Sequence, residues 1–168
     1  MENVEIPAVE RDVLAGLDAL GIPYRVVHHA PVYTIADCED VGAVGPKNLF
    51  LMPRHREEYY LVTVHPDARM NTGSVSKQLG SSRLSFAPEE KLTELTRAHN
   101  GSVTPLGLMF DAEKRVRFAI DEKLRSCDEL AFHPCVNTAT VIVKTADFFE
   151  KFLPATGHGA AFVTLEED

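Results

Sequence analysis

Two short apolar runs, Leu49–Met52 and Tyr59–Val64, flank a charged turn at Arg54–Glu58. Runs this short, rich in aromatic and β-branched residues, suit strands better than helices. The pattern predicts a β-hairpin with a basic tip. A lone hairpin is marginal in water, so the rest of the chain must supply the layers that cover it. Ala8–Leu20 offers one: Val9, Val13, Leu17 and Leu20 recur at helical spacing, and Gly21 with Pro23 ends the run. Further strands are expected at Tyr24–His28, Val116–Ile120 and Thr140–Val143, with an extended stretch at Ala131–Pro134 and a closing strand at Phe162–Leu165. Short helices are expected at Thr34–Val41, Ser74–Leu79, Pro88–Leu95 and Asp121–Arg125. Thr145 is expected to cap a last helix that runs to Leu153 and buries Phe148, Phe149 and Phe152. With no repeat, linker or low-complexity segment, the expectation is one mixed α/β domain over residues 1–168, a twisted, largely antiparallel sheet surrounded by helices.

Charge narrows the function classes. Lys plus Arg number 17 and Asp plus Glu 25, a net charge of −8. That argues against general duplex DNA binding, whose affinity comes from many basic residues on phosphates, but leaves room for a local basic patch at the end of a nucleic acid. The three cysteines, Cys38, Cys127 and Cys135, are odd in number and lack C-x-x-C spacing, against a disulfide framework or a thiolate zinc site. Met1–Glu10 carries acids and no apolar run, unlike a secretion signal. No segment approaches the ~20 apolar residues that cross a bilayer. The expectation is a soluble cytoplasmic protein with no membrane partner and no metal.

G-x-S-x-G, H-E-x-x-H, P-loop and G-x-G-x-x-G patterns do not occur. Cys135 and His133 could be written as a Cys–His hydrolase, but Pro134 breaks the strand parity that would put them on one face. A buried structural cysteine is the better reading. His28 and His29, adjacent on a strand, point to opposite faces, which fits packed or surface histidines rather than metal ligands. Lys47 follows the V-G-A-V-G-P loop at Val41–Pro46 and opens an apolar strand. Its ammonium can hold a phosphate or carboxylate as a point charge, or be a solvated strand-end cation, and periodicity alone favours the second. The loop Gly101-Ser102-Val103-Thr104-Pro105 can shape a small pocket with its backbone N–H groups turned to a ligand, or be an ordinary turn. His133, between Phe132 and Pro134, can likewise line a pocket or be a satisfied core histidine, and for both the plainer role is preferred on sequence alone. Arg115 and Arg117 alternate, which puts them on one face, normally a solvated one that could also meet phosphates.

Five segments in order change this balance: K-N-L-F-L at Lys47–Leu51, Y-Y-L-V at Tyr59–Val62, L-S-F-A at Leu84–Ala87, G-S-V-T-P-L-G-L at Gly101–Leu108 and F-H-P-x-x-N at Phe132–Asn137. With H-H-A-P-V-Y-T at His28–Thr34 and G-H at Gly157–His158, they span most of the chain. Singly each is weak. The ordered set resembles the YbaK/prolyl-tRNA synthetase-associated editing domain family, specifically its freestanding prolyl-tRNA deacylases of the ProXp-ala or PrdX type.

The resemblance implies a metal- and cofactor-independent trans-editing enzyme. It would hydrolyse the ester linking a wrong amino acid, typically alanine, to the 3′-terminal adenosine of tRNA for proline. It assigns the catalytic role to Lys47, near the ester and terminal phosphate, with Asn48 beside it. Gly101, Ser102, Val103, Thr104 and Pro105 would shape the amino-acid pocket, and His133 would line it and admit a small side chain while excluding proline. Asn137 would be a further substrate contact. An aminoacyl ester is already activated, so positioning and oxyanion stabilisation can suffice without a protein nucleophile, and the family's use of the tRNA 2′-hydroxyl fits that. The need is also physical: a pocket built for proline cannot strongly reject smaller alanine, because missing methylenes are worth only ~1–3 kcal/mol. Arg54, Arg56, Arg115 and Arg117 would help hold the tRNA. Two segments depart from the family: Arg69–Gly73 is nearly neutral where relatives place lysines, and Pro53–Arg56 is more basic. Rival readings are a deacylase for Cys- or Ser-charged tRNA, a non-catalytic tRNA- or nucleotide-binding module, and the Cys135–His133 thiol hydrolase.

Overall fold

The computed structural model describes residues 6–31 and 43–167. The chain runs α1 (Ala8–Ala19), β1 (Tyr24–His28), β2 (Lys47–Pro53), β3 (Tyr59–Val64), α2 (Thr72–Gln78), β4 (Leu84–Phe86) and α3 (Glu89–Thr96). A 3₁₀ helix (Pro105–Phe110), β5 (Val116–Asp121) and a second 3₁₀ helix (Glu122–Ser126) follow. Then come β6 (Glu129–Phe132), β7 (Ala139–Lys144), a final helical stretch α4 and β8 (Ala160–Val163). Within α4, α-helical turns at Thr145–Asp147 and Leu153–Thr156 bracket a π-helical turn, Phe148–Phe152. The helix expected at Thr34–Val41 lies outside the described residues.

The strands divide between two sheets, ordered β1-β7-β6 and β4-β2-β3-β5-β8. The predicted hairpin forms, with Lys47 opposite Val64 and Leu51 opposite Tyr60. The three-stranded sheet is antiparallel throughout, whereas β5 lies parallel to both β3 and β8. Parallel neighbours demand long crossovers, and the helical segments between β3 and β5 and between β5 and β8 supply them.

Strand parity explains why every residue of Tyr59–Val64 is buried. Tyr59 and Leu61 face the main core, between the two sheets, with Val13 and Leu17 of α1, Leu92 and Leu95 of α3 and Phe148 and Phe152 of α4. Tyr60, Val62 and Val64 face a second core with Leu51, Leu84 and Val163, closed by Val75 of α2. A continuous apolar run is what a strand covered on both faces requires.

Thr145 does not cap α4. The flanking residue is Lys144, and the Thr145 hydroxyl is buried with no hydrogen-bond partner among the described residues. The Thr145 N–H is instead held by the Asp128 carbonyl (3.0 Å), so the strand-to-helix joint rests on backbone bonding.

Candidate functional site

The Gly101–Pro105 loop is built to hold one shape. Gly101 sits at φ +94°, a region that strains any residue with a Cβ. The buried Ser102 hydroxyl accepts from the His99 N–H (2.9 Å) and shares its one proton between the His99 carbonyl (3.1 Å) and the Cys135 carbonyl (3.2 Å). The Cys135 bond ties the loop to the β6–β7 connection. Thr104 caps the first 3₁₀ helix by accepting from the Leu106 N–H (3.2 Å), and Pro105 occupies its first turn, where a missing N–H costs nothing. Two residues on, Gly107 passes so near Thr96 that a Cβ would lie 2.7 Å from the threonine Cβ and 2.9 Å from its carbonyl.

The β6–β7 connection carries the other expected residues. A Cβ built on Gly101 would fall 3.8 Å from Asn137 Nδ2, so Asn137 and the loop are neighbours. His133 Nδ1 lies 3.0 Å from the Ala139 carbonyl. A carbonyl only accepts, so Nδ1 carries the proton and Nε2 keeps its lone pair. Burial holds the His133 imidazole below the usual histidine range and the neighbouring His29 adds to that, against an opposing pull from the Ala139 bond. His133 is therefore neutral at pH 7.

The two rings lie 6.2 Å apart, and His29 is itself engaged by the Thr140 hydroxyl (2.8 Å) and its neighbour's carbonyl (2.9 Å). His28 turns the other way, its Nε2 2.7 Å from the fully buried Glu10 carboxylate. The adjacent histidines thus take opposite faces as expected. Among the described residues no three of His, Cys, Asp and Glu gather as metal ligands, and no helix is long and apolar enough to cross a membrane.

Lys47 and Asn48 belong to the other sheet, which one bridge joins to β6. Val44 bridges Leu130 in parallel, its N–H on the Glu129 carbonyl and its carbonyl on the Ala131 N–H. From that bridge the chain runs three residues to Lys47, as β6 runs three residues in the same direction to His133. Lys47 is exposed, pairs only through its backbone with Val64, and has no ion-pair partner among the described residues. Asn48 is half-buried. Its carbonyl oxygen accepts from the Thr63 hydroxyl at 2.6 Å, which fixes the amide and leaves its N–H groups as what it can offer a ligand.

Cys135 and His133 form no dyad. The Cys135 Sγ lies 3.4 Å from the Thr96 carbonyl, and burial pushes its thiol up to about 12, far from the thiolate a nucleophile needs. The residue adopts the left-handed conformation at φ +63°, held there by the Ser102 bond to its carbonyl.

The four arginines stand apart from this group. Lys47 opens β2, and Arg54 and Arg56 lie beyond its far end, on the order of 20 Å away at ~3.3 Å per residue. Arg115 and Arg117 do not share a face, because Arg115 precedes β5. It rests over Tyr59 while Arg117 rests over Tyr60, rings that look into different cores. Both are paired, Arg115 with Glu57 (3.3 Å) and Glu94 (3.5 Å), Arg117 with Glu58 (3.8 Å), which also meets Arg56 (3.8 Å). The basic hairpin tip expected from sequence is thus partly neutralised by its own carboxylates.

Among the described residues the candidate site offers an ammonium without an ion-pair partner, an imidazole held in its neutral form, a loop tied down by Ser102 and no Cys135–His133 dyad. The aminoacyl-tRNA editing domain matches residues 29–151. The prolyl-tRNA editing protein ProX of Acetoanaerobium sticklandii is 36% identical over 152 residues, 87% of this chain and 91% of that protein. The prolyl-tRNA synthetase associated domain-containing protein 1 of Mus musculus is 36% identical over 158 residues, 89% of this chain and 92% of its own. A crystal structure provisionally assigned as a trans-editing enzyme for prolyl tRNA synthetase shares the fold at a TM-score of 0.74 and 23% identity, over 98% of this chain and 100% of that one. The chain belongs to the aminoacyl-tRNA editing domain family.

Proposed function

We propose that this protein is a trans-editing hydrolase that cleaves the ester between a wrong amino acid, alanine above all, and the 3′-terminal adenosine of tRNA for proline. The observation that carries the reading is the Ser102 bond to Cys135, which fixes the Gly101–Pro105 loop against the connection bearing His133 and Asn137. A rigid wall of that kind discriminates by size, and relatives named for prolyl-tRNA editing and prolyl-tRNA synthetase association support proline tRNA as the substrate.

In this reading water adds to the ester carbonyl carbon, and the bond from that carbon to the ribose 3′-oxygen breaks. The proton lost by water ends on the departing oxygen, relayed by the tRNA 2′-hydroxyl. Lys47 stabilises the negative charge that develops on the carbonyl oxygen, and Asn48 adds an N–H donor beside it. His133, neutral, lines the amino-acid side and presents a lone pair at Nε2. The thiol-hydrolase alternative has no support in a buried, protonated Cys135.

Replacing Lys47 with Ala tests this. Single-turnover release of alanine from Ala-tRNA(Pro) should slow about 10²–10³-fold, the usual cost of losing one oxyanion donor. An unchanged rate would remove Lys47 from the chemistry, and tRNA binding with no turnover in the unaltered protein would leave a binding module.

A further inference from the structure

We infer that a second anion site, separate from the ester pocket, grips the tRNA backbone at the junction of β2 and β4. This rests on the editing reading and locates the surface it needs. β2 and β4 pair antiparallel with Leu51 opposite Phe86, Met52 opposite Ser85 and Pro53 opposite Leu84. Arg54 follows β2 and Arg83 precedes β4, so the two flank the last pair of that ladder. Like charges brought to one place repel unless something negative lies between them. Arg54, His55, Ser82, Arg83 and Ser85 line one cleft of about 520 Å³, and all are exposed.

Neither Arg54 nor Arg83 has an ion-pair partner among the described residues. The nearby carboxylates are engaged elsewhere, Glu57 with Lys91 and Arg115, Glu58 with Arg56 and Arg117. Two uncompensated guanidiniums and two hydroxyls, on a chain of net charge −8, are the donor set for a phosphodiester. Arg56, Arg115 and Arg117, held by their own glutamates, are not part of it.

Phe86 lies outside this cleft. It is the most exposed large apolar side chain described, at 73%, but it follows Ser85 on the edge strand and so projects from the opposite face. Guanidiniums and hydroxyls without carboxylate partners on an acidic chain fit a phosphate backbone, and under the editing reading the occupant is an RNA strand. The distance also fits. The cleft lies on the order of 20 Å from Lys47, and a stacked strand advances ~3.4 Å per phosphate, which puts about six nucleotides between ester and cleft. The site would meet the tRNA where its single-stranded 3′ end joins the first base pairs.

The experiment is fluorescence-anisotropy titration of labelled, uncharged tRNA for proline over a salt series. It compares the unaltered protein, the double variant Arg54→Gln with Arg83→Gln, and Phe86→Ala. A matched control, Arg125→Gln with Lys151→Gln, removes equal charge elsewhere. Loss of two charge-assisted contacts should weaken binding about 10- to 100-fold and lower the slope of log K against log salt by about 1.5–2. Phe86→Ala, on the opposite face, should leave affinity within about twofold and the slope unchanged. The control should stay within about twofold. Equal affinity and slope for the double variant and the unaltered protein would overturn this site while the editing reading stands. Failure of the unaltered protein to bind any tRNA would overturn the editing reading itself.

Discussion

His133 and Cys135 sit two residues apart, and their environments give them different chemistry. Both are desolvated, and both respond by holding the uncharged form, an imidazole in one case and a thiol in the other. For Cys135 the consequence is inertness. Alkylation with iodoacetamide at neutral pH should leave Cys135 unlabelled in the folded protein and should not abolish deacylation through it, which peptide mass mapping beside an activity assay would check. For His133 the sign runs with pH. Its folded proton affinity lies below the ordinary value of 6.5, so its contribution to stability is complete above that value and is lost as pH falls beneath it. The thermal stability of the unaltered protein relative to His133→Phe should therefore shrink as the buffer is taken from neutral to acid. A difference that grew on acidification would mean that the folded state favours the imidazolium.

At the level of elements, the short 3₁₀ helix at Pro105–Phe110 is what aims the glycine loop, and its packing against α3 is close. Gly107→Ala would drive a methyl group into the Thr96 backbone, which must shift to admit it. The expected cost is about 1–3 kcal/mol, read from the urea midpoint, with a fall in deacylation because the loop moves with the helix. This coupling was invisible in the sequence, where Gly107 is only one letter of G-S-V-T-P-L-G-L. The elements themselves were far more legible. Tyr24–His28 and Tyr59–Val64 form strands with the expected bounds, and Gly80 follows α2 at φ +69°. These segments announce themselves through local pattern. The three-residue β4 did not, since it is too short to show a period, and neither did the division into two sheets, because pairing between β3 and β5 depends on residues more than fifty positions apart. Thr145 misled for a related reason: a threonine before an amphipathic run has the composition of a cap, but the Thr145 N–H already had a partner in the Asp128 carbonyl.

On the scale of the whole molecule, the chain brings a small number of free cations to an acidic body. Lys47 lies at one end of β2 and the Arg54–Arg83 cleft at the other, while most other described arginines are tied to carboxylates. Sequence could place Lys47 at a strand mouth and the loop as a candidate pocket, but periodicity could not separate these from a solvated lysine and an ordinary turn. The ordered motifs favour the functional role for both, and the proposal draws on a bridge at Val44 that joins the two sheets and a serine that ties the loop down.

The most direct test of the account is the rate at which the protein releases amino acid from tRNA for proline charged with alanine and, in parallel, with proline. Chelator is present throughout. The account predicts rapid loss of alanine, with proline spared and the chelator without effect. Release of proline as fast as alanine, or no release from either tRNA, would contradict it.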